Sequence, residues 1–577
     1  MSNPDRNILK ALFRAHRSKL ALIVILQIIC VLAQVDSINI LRPLMDEGVY
    51  GGDMDAILNM GGILIVLTII SSITLILTSY LASQIAAAVA EYLRLGIMSS
   101  AVRVRSIDDI PGGDTNTMTC LTTDVTSVQR YVFESLRTYL PMPFLMAALF
   151  YYTYQINTVV GLLLIAILVA IILVTFLFSR RVHVLYKDQV ERVDAVNSLL
   201  RSKISGARPI RAMNGFEYET QKFEEASSAL GVMNRKIDLN SYYLPHLATA
   251  FMWMFVVLMF AVVAHEGKDI ALGIEMIVFM QYATYIVSTM AIIPYLCTDA
   301  PKARIYHDRI MDIITASSDS ENLEAPTERD HEYALRFKDI EMLDTFGRKV
   351  MDRVSIDIRS GEVVTIVGPN GCGNSDLISI AMGFSDMDAG SIMVDGMDTS
   401  SVDSRYIRDA IAYAGNTVHI FMGTFRYNLD PHGRCDDYRI MEVCDRIGLG
   451  DFIKGLPEGL DTQISEGVST MSGGQKLLIV IARSLLRDAP IYVFHDCFFS
   501  LDPETKGRAL RAILDICKGR SVVFLMHDIS TCGESDEVIL MDRGKVLDRG
   551  SFDELMTRSK LFNDMCTVGQ GRVGSWA

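Results

Sequence analysis

A clustered basic surface is the first thing this sequence lacks. Its 54 lysines and arginines are outnumbered by 68 aspartates and glutamates, giving a net charge of −14. A protein that neutralises nucleic-acid phosphates needs such a cluster, so no nucleic-acid partner is expected. Metal-type cysteine spacing is missing too. The ten cysteines, among them Cys30, Cys120, Cys372 and Cys497, show neither CxxC pairs nor zinc-site intervals, which leaves reduced, buried thiols as their reading. Nor does a small-residue cleavage site follow the first apolar run, although Arg6, Lys10, Arg14, Arg17 and Lys19 precede it. A cleaved leader is therefore not expected, because that run is also too long and more runs come after it.

What the chain has in plenty is hydrocarbon. Half of its 577 residues are hydrophobic and the mean hydropathy is +0.28, too apolar for an ordinary soluble protein and too long for one domain. Apolar stretches of membrane-spanning length run from about Leu20 to Leu41, Ile57 to Leu81, Leu140 to Tyr154, Val159 to Phe178, Leu244 to Val263 and Ile274 to Leu296. An even number of spans puts both ends on one side. The N-terminus and the segments Arg94 to Arg137 and Arg180 to Lys236 are rich in Arg and Lys, whereas the loops Asp46 to Asp55 and His265 to Glu275 are acidic or mixed, so both termini are expected to be cytoplasmic. The third span carries Pro141 and Pro143 and is short, so its helix is expected to begin several residues earlier. Asp36 is the one clear charge at membrane depth and marks either a functional position or the outer interface. Met252, Trp253, Met254, Met259, Met276, Met280 and Met290 are an adaptable lining if they face a cavity, and ordinary lipid-facing or packing residues otherwise.

Two segments between spans, Glu91 to Tyr139 and Ser179 to Tyr243, keep helical periodicity without long apolar runs, and predict helices projecting into the cytosol. Residues 315–333 are polar and read as a linker between a membrane domain, 1–314, and a soluble domain, 334–577. In the soluble part strand-like runs alternate with helical ones, which predicts an α/β domain. EVVTIVGPNGCGNSDLISI combines a buried strand, a glycine-rich turn and a helix start, the context of a P-loop. VSTMSGGQ at Val468 to Gln475 places a serine and two glycines before a helix expected to start near Lys476, a ready anion site.

Taken in order, GPNGCGNS, VSTMSGGQ, a strand ending in His495 and Asp496, FSLD at Phe499 to Asp502, and His527 resemble the nucleotide-binding domain of ATP-binding cassette (ABC) transporters. With the apolar spans the resemblance covers essentially the whole chain, and it implies the exporter-type layout of six transmembrane helices with long cytoplasmic extensions, fused to an α/β P-loop domain. The segments Ile107 to Val125 and Gly206 to Glu219 resemble that layout's coupling loops; solvated helical hairpins are the plainer reading. ATP and Mg²⁺ are the implied cofactors. Gly368, Pro369, Asn370, Gly371, Cys372, Gly373, Asn374, Ser375 and Asp376 would form the phosphate loop, with Ser375 a weak magnesium ligand. Asn416, Asp502 and His527 would complete the site, and Glu466 precedes the signature.

The resemblance fails where the chemistry is done. Asn374 stands where the family has its phosphate-binding lysine, and His495 and Asp496 where it has Asp-Glu, so neither a magnesium carboxylate nor a full-length catalytic glutamate is expected. Asn416 replaces a glutamine, and Leu343 or Asp344 falls where an aromatic ring stacks on adenine, with Phe346 a substitute if the loop shifts. Because family members pair head to tail, Ser472, Gly473, Gly474 and Gln475 would act in trans on a partner's ATP. The resemblance therefore implies the degenerate half of an obligate heterodimer with a second half-transporter, in a bacterial inner or plasma membrane, moving a drug-like, peptide or lipid cargo. Import of metal-chelate complexes and a non-hydrolysing membrane sensor are the alternatives.

Overall fold

In a computed structural model the chain divides into two compact units, Met1–Ser317 and Ser318–Ala577. The structure describes residues 16–104, 117–156, 158–265, 271–315, 332–344, 346–464, 471–529 and 531–573. Most of the first coupling-like segment, the polar linker and Glu466 therefore lie outside the described residues.

The first unit is helical. Its six long helices, Arg17–Asn39, Met54–Arg103, Met142–Ile156, Thr158–Ser205, Phe216–His265 and Ala271–Thr315, each take up one of the predicted apolar stretches, the first ending short of Leu41 and the third starting after Leu140. Four of them continue far beyond the hydrocarbon run, three of these continuations falling in the segments Glu91 to Tyr139 and Ser179 to Tyr243 where projecting helices are expected. The second begins where Asp53 accepts from the backbone N–H of Asp55 and Ala56, a side-chain N-cap. Along it Leu58, Ile63, Ile65, Ile69 and Ile76 are all exposed. A water-soluble protein would not present so long an apolar face, whereas lipid accepts it. Several hydroxyls on that helix close back on its own carbonyls, Thr68 on Leu64, Ser72 on Thr68 and Ser79 on Leu75. In hydrocarbon they have few other partners.

The third span does begin earlier, in a different form. Helical backbone runs from Cys120 through Val125–Glu134 and Ser135–Tyr139, then breaks at the Leu140–Pro141 step before Met142–Ile156. The missing N–H of Pro141 explains the break. Between the fourth and fifth spans a short helix, Ala207–Ala212, joins two long ones, and Asn214 makes the exit in the left-handed region at φ 51°. Trp253, Met254 and Met280 are exposed on the single chain.

Polar pairs tie the helices at two levels. Asp36 meets the Tyr152 hydroxyl from the third span, beside Asn39 and Tyr282. In the extensions beyond the apolar runs Arg309 bridges Asp124 at 3.5 Å and Asp194 at 3.3 Å. Asp124 is almost wholly buried and also accepts from the Cys120 thiol at 3.3 Å. Burial pushes its carboxyl pKa upward, with Arg309 opposing.

The second unit is α/β. A four-stranded antiparallel sheet has the order β2-β1-β4-β5, formed by Lys349–Arg359, Tyr333–Leu343, Ala389–Val394 and Met397–Asp398. A six-stranded sheet has the order β12-β11-β3-β10-β9-β6, formed by Lys545–Gly550, Glu537–Asp542, Val363–Val367, Ser521–Met526, Ile491–His495 and Ile411–Ala414. The short pair β7, Gly423–Thr424, and β8, Gln463–Ile464, stands apart. In the larger sheet every pair but β11–β12 is parallel. Strands β9 and β10 are buried along their whole length, as continuous apolar runs covered on both faces must be. Phe494 and Phe524 stack across them at 5.6 Å.

This topology positions the candidate site. Strand β10 lies between β3 and β9, so the carboxyl ends of β3, β10, β9 and β6 open onto one edge. That edge is where ligands sit in parallel α/β sheets.

Candidate functional site

At that edge β3 runs into the glycine loop. Gly371 and Gly373 have φ of 83° and 103°, a conformation costly for any side chain, and a Cβ on Gly368 would strike the Met541 carbonyl. The loop ends in the helix Asn374–Ala381. Its backbone has the shape of an anion cradle. The side chains that should complete the cradle point elsewhere.

Asn374 is 1 % exposed, and its Nδ2 donates inward to the carbonyls of Met526 at 3.2 Å and Ile366 at 3.5 Å. Its Oδ1 is buried with no partner. The residue in the lysine position therefore braces β3 to β10 rather than reaching out to phosphate. Ser375, the expected magnesium ligand, bonds through Oγ to His495 Nε2 at 3.0 Å. The other ring nitrogen of His495 bonds to the Tyr413 hydroxyl at 3.1 Å, from the end of β6. Burial lowers the His495 pKa, and His527 lowers it further, against the opposing pull of Asp496 and Asp376. A neutral imidazole donates from one nitrogen and accepts at the other, so the ring is satisfied on both sides. Asp376, half-buried, has its carboxyl pushed upward by burial.

Asp496 turns at φ 45° and accepts from the His527 backbone N–H at 3.1 Å. Its other oxygen lies 3.2 Å from His527 Nε2, while His527 Nδ1 bonds to the Gly368 carbonyl at 3.0 Å. The Cys372 side chain, the Gly368 carbonyl and the Asp496 carboxylate hold His527 charged against partial burial, and its pKa is pushed up to about 9. The folded value exceeds the ordinary 6.5, so this stabilisation is complete below about pH 6.5 and disappears as pH rises through about 9. The nucleotide-binding unit should lose about 2 kcal/mol of stability across that window, and a His527→Gln variant should show no such loss. Denaturant titration at pH 6 and at pH 9.5 checks it; an equal change in unfolding free energy between the two pH values in both proteins would remove the ion pair from the account.

These residues fit an anion at the backbone but do not fit a hydrolytic magnesium site. The one hydroxyl ligand is bonded to an imidazole, and the Asp496 carboxylate is paired with His527. Asn416 is exposed, its Oδ1 accepting from Thr417. Asp344 cannot stack on a base, because its carboxylate takes the backbone N–H of Phe346 and Arg348 and the Arg348 guanidinium. Phe346, exposed beside Arg348, is the aromatic group left for that role.

Of the signature stretch, residues 471–475 are described. Its helix starts at Gly473, three residues before the expected Lys476, because Ser472 and Gln475 form a reciprocal capping box: Ser472 Oγ accepts from the Gln475 N–H at 3.2 Å and Gln475 Oε1 from the Ser472 N–H at 2.9 Å. Ser472 and Gly473 are exposed, and Gly474 is closely backed by Leu501 and Ser500 of the FSLD stretch, each 3.3 Å from where a Cβ would stand. Asp502 caps the next helix, Pro503–Ile516, by accepting from the Thr505 N–H at 2.9 Å. Tyr413 was not singled out by sequence reasoning. Its only signal is an aromatic residue at a strand end three positions before Asn416.

Comparison with known proteins agrees with the architecture. The ABC transporter family model matches residues 351–498, and the model of the ABC transporter transmembrane region matches residues 20–290. The ABC transporter ATP-binding protein YfiB of Bacillus subtilis is 24% identical over 93% of this chain and 95% of its own. An ATP-dependent lipid A-core flippase of Paraburkholderia xenovorans is 25% identical over 73% of this chain and 71% of its own. The structure of a bacterial Atm1-family ABC exporter with ATP bound superposes with a TM-score of 0.83 at 17% identity, covering 97% of this chain and 99% of that one. With a helical membrane region and a cassette domain matched in sequence, and the exporter fold matched along its length, this chain belongs to the ABC transporter family as a half-transporter whose membrane and nucleotide-binding domains are fused.

Proposed function

We propose that this chain is the non-catalytic half of a heterodimeric ATP-driven transporter. The observation that carries the reading is the bond between Ser375 and His495, which occupies the hydroxyl that magnesium would need. A homodimer would own two such sites. The intact Ser472 cap, in contrast, has a use only opposite another chain's phosphate, which favours a partner with a competent P-loop over a lone sensor. In this reading the partner's site hydrolyses ATP between its own P-loop and Ser472, Gly473, Gly474 and Gln475. This chain's site holds nucleotide without turnover and acts as a latch while the membrane domain alternates its access.

Export is the favoured direction, from an inner or plasma membrane with both termini in the cytoplasm, and residues 315–333 act as the linker. The flippase relatives put a lipid or lipid-like amphipath first among the cargoes. The deciding experiment is ATPase activity of the purified chain in lipid, alone and after assembly with a co-purifying half-transporter. Silence alone and turnover in the pair is the expected result. Robust turnover by the chain alone would overturn the reading.

A further inference from the structure

The first unit contains a cavity that the transport cycle proposed above does not call on. It has a volume of about 320 Å³ and lies between the first, second, third and sixth long helices. That volume is within the range of small-molecule sites.

Most of its polar lining is already satisfied. The Thr289 hydroxyl bonds to the Tyr285 carbonyl and the Thr138 hydroxyl to the Glu134 carboxylate, each at 2.8 Å. Gln34 donates to the Cys30 sulfur, and Cys30 to the Ser71 carbonyl. Two groups are different. Gln27 is 3 % exposed; its Nε2 donates to the Leu136 carbonyl, but its Oε1 has no partner. Thr78 is 1 % exposed, and its hydroxyl also has none, although Thr74 and Ser79 beside it close on carbonyls of their own helix. In a hydrocarbon setting an unpaired acceptor and an unpaired hydroxyl are both costly, and two in one cavity need a common explanation.

The third component is a cation. Arg137, exposed at the foot of the third span, lines the same cavity, with its guanidinium 5.6 Å from the Phe133 ring. Leu75, Leu145 and Ile292 supply apolar wall. The cavity therefore offers one positive charge, one acceptor that needs a donor, one hydroxyl and a hydrocarbon side. An occupant that answers all four is an acidic amphipath bearing a hydroxyl close to its acid group.

We infer that this cavity binds the headgroup of an anionic glycerophospholipid, its phosphate on Arg137 and its glycerol hydroxyls on Gln27 and Thr78. Position supports a lipid source. Arg137 stands at the end of a membrane-spanning helix, where a basic side chain attracts anionic lipid, and the apolar wall suits the start of an acyl chain. This inference needs only the membrane unit and stands whether or not the chain is catalytic.

The test uses the full chain in phosphatidylcholine nanodiscs doped with isotope-labelled phosphatidylglycerol, with retained lipid counted by native mass spectrometry. Labelled phosphatidylglycerol should be retained preferentially, and Arg137→Gln should weaken its retention about tenfold. Thr78→Val keeps the side-chain shape and should cost about threefold, and Gln27→Leu a similar factor. If Gln27→Leu fails to fold, Thr78→Val carries the same question. Soluble glycerophosphoglycerol serves as a competitor: displacement by it supports the headgroup chemistry with the acyl wall dispensable, and no displacement supports a site that needs the intact lipid. Equal retention of phosphatidylcholine and phosphatidylglycerol, or wild-type retention in both Arg137→Gln and Thr78→Val, overturns the inference.

Discussion

A transporter assembled with Ser472→Arg in this chain should hydrolyse ATP at least about a hundredfold more slowly than the unchanged pair, although the altered residue lies far along the sequence from this chain's own P-loop. Ser472 is the N-cap of the helix Gly473–Leu485, and its exposed hydroxyl and the first free N–H groups of that helix are what the proposed trans site presents to a γ-phosphate. A long cationic side chain there removes the cap and obstructs the approach. The matching control is Asn374→Ala, which loosens the brace between β3 and β10 beside this chain's own loop but leaves the Ser472 cap untouched, and should leave turnover of the pair within about twofold. The measurement is phosphate release by the two variant pairs under saturating ATP. If Ser472→Arg pairs kept full turnover, the shared site would have to be abandoned.

The second large effect is a gain. Asn374→Lys and His495→Asp together should raise the affinity of this chain's own site for Mg-ATP about tenfold or more, read by nucleotide binding to the chain alone. Each substitution does something the other cannot. The lysine restores a charge between phosphates, but it must leave the inward position where Asn374 holds the Ile366 and Met526 carbonyls. The aspartate releases the Ser375 hydroxyl from His495 and puts a carboxylate near magnesium, but it also leaves Tyr413 without its partner. The two should therefore be more than additive, by about 1 kcal/mol, as expected of residues in one network. Turnover would need Asp496→Glu as well, because the shorter arm and its pairing with His527 keep the carboxylate from an attacking water. No gain in affinity from the double substitution would mean that the glycine loop itself has lost its shape.

Much of the architecture was legible because it is local. Membrane spans announce themselves as uninterrupted hydrocarbon, and the P-loop and the Ser472 cap are short patterns whose backbone consequences hold wherever they occur. Even the misplaced helix start near Lys476 had its remedy in the sequence, since serine followed three residues on by glutamine is a capping box. The state of this chain's own glycine-loop site was not legible. That Asn374 and His495 break the family pattern could be read directly; where their side chains go could not. Asn374 is placed by carbonyls on two strands, one of them 152 residues away, and His495 by Ser375 and Tyr413, 120 and 82 residues away. Sequence reasoning described a site with parts missing. The structure shows those parts replaced by an internal hydrogen-bond network, which is a different physical state and a harder one to reverse by a single substitution.

The bridge from Arg309 to Asp124 and Asp194 has a mechanical consequence. The three residues belong to the extensions of the sixth, third and fourth spans, and the sixth and fourth helices are 45 and 48 residues long, about 70 Å of continuous rod each. Rods of that length bend under load when each stands alone. Cross-linked through one arginine beyond the apolar runs, they resist shear as a truss does, so a displacement applied at the polar foot is delivered to the apolar end instead of being absorbed along the way. Cutting the strut with Arg309→Met would slacken the frame without altering a single group at the nucleotide site.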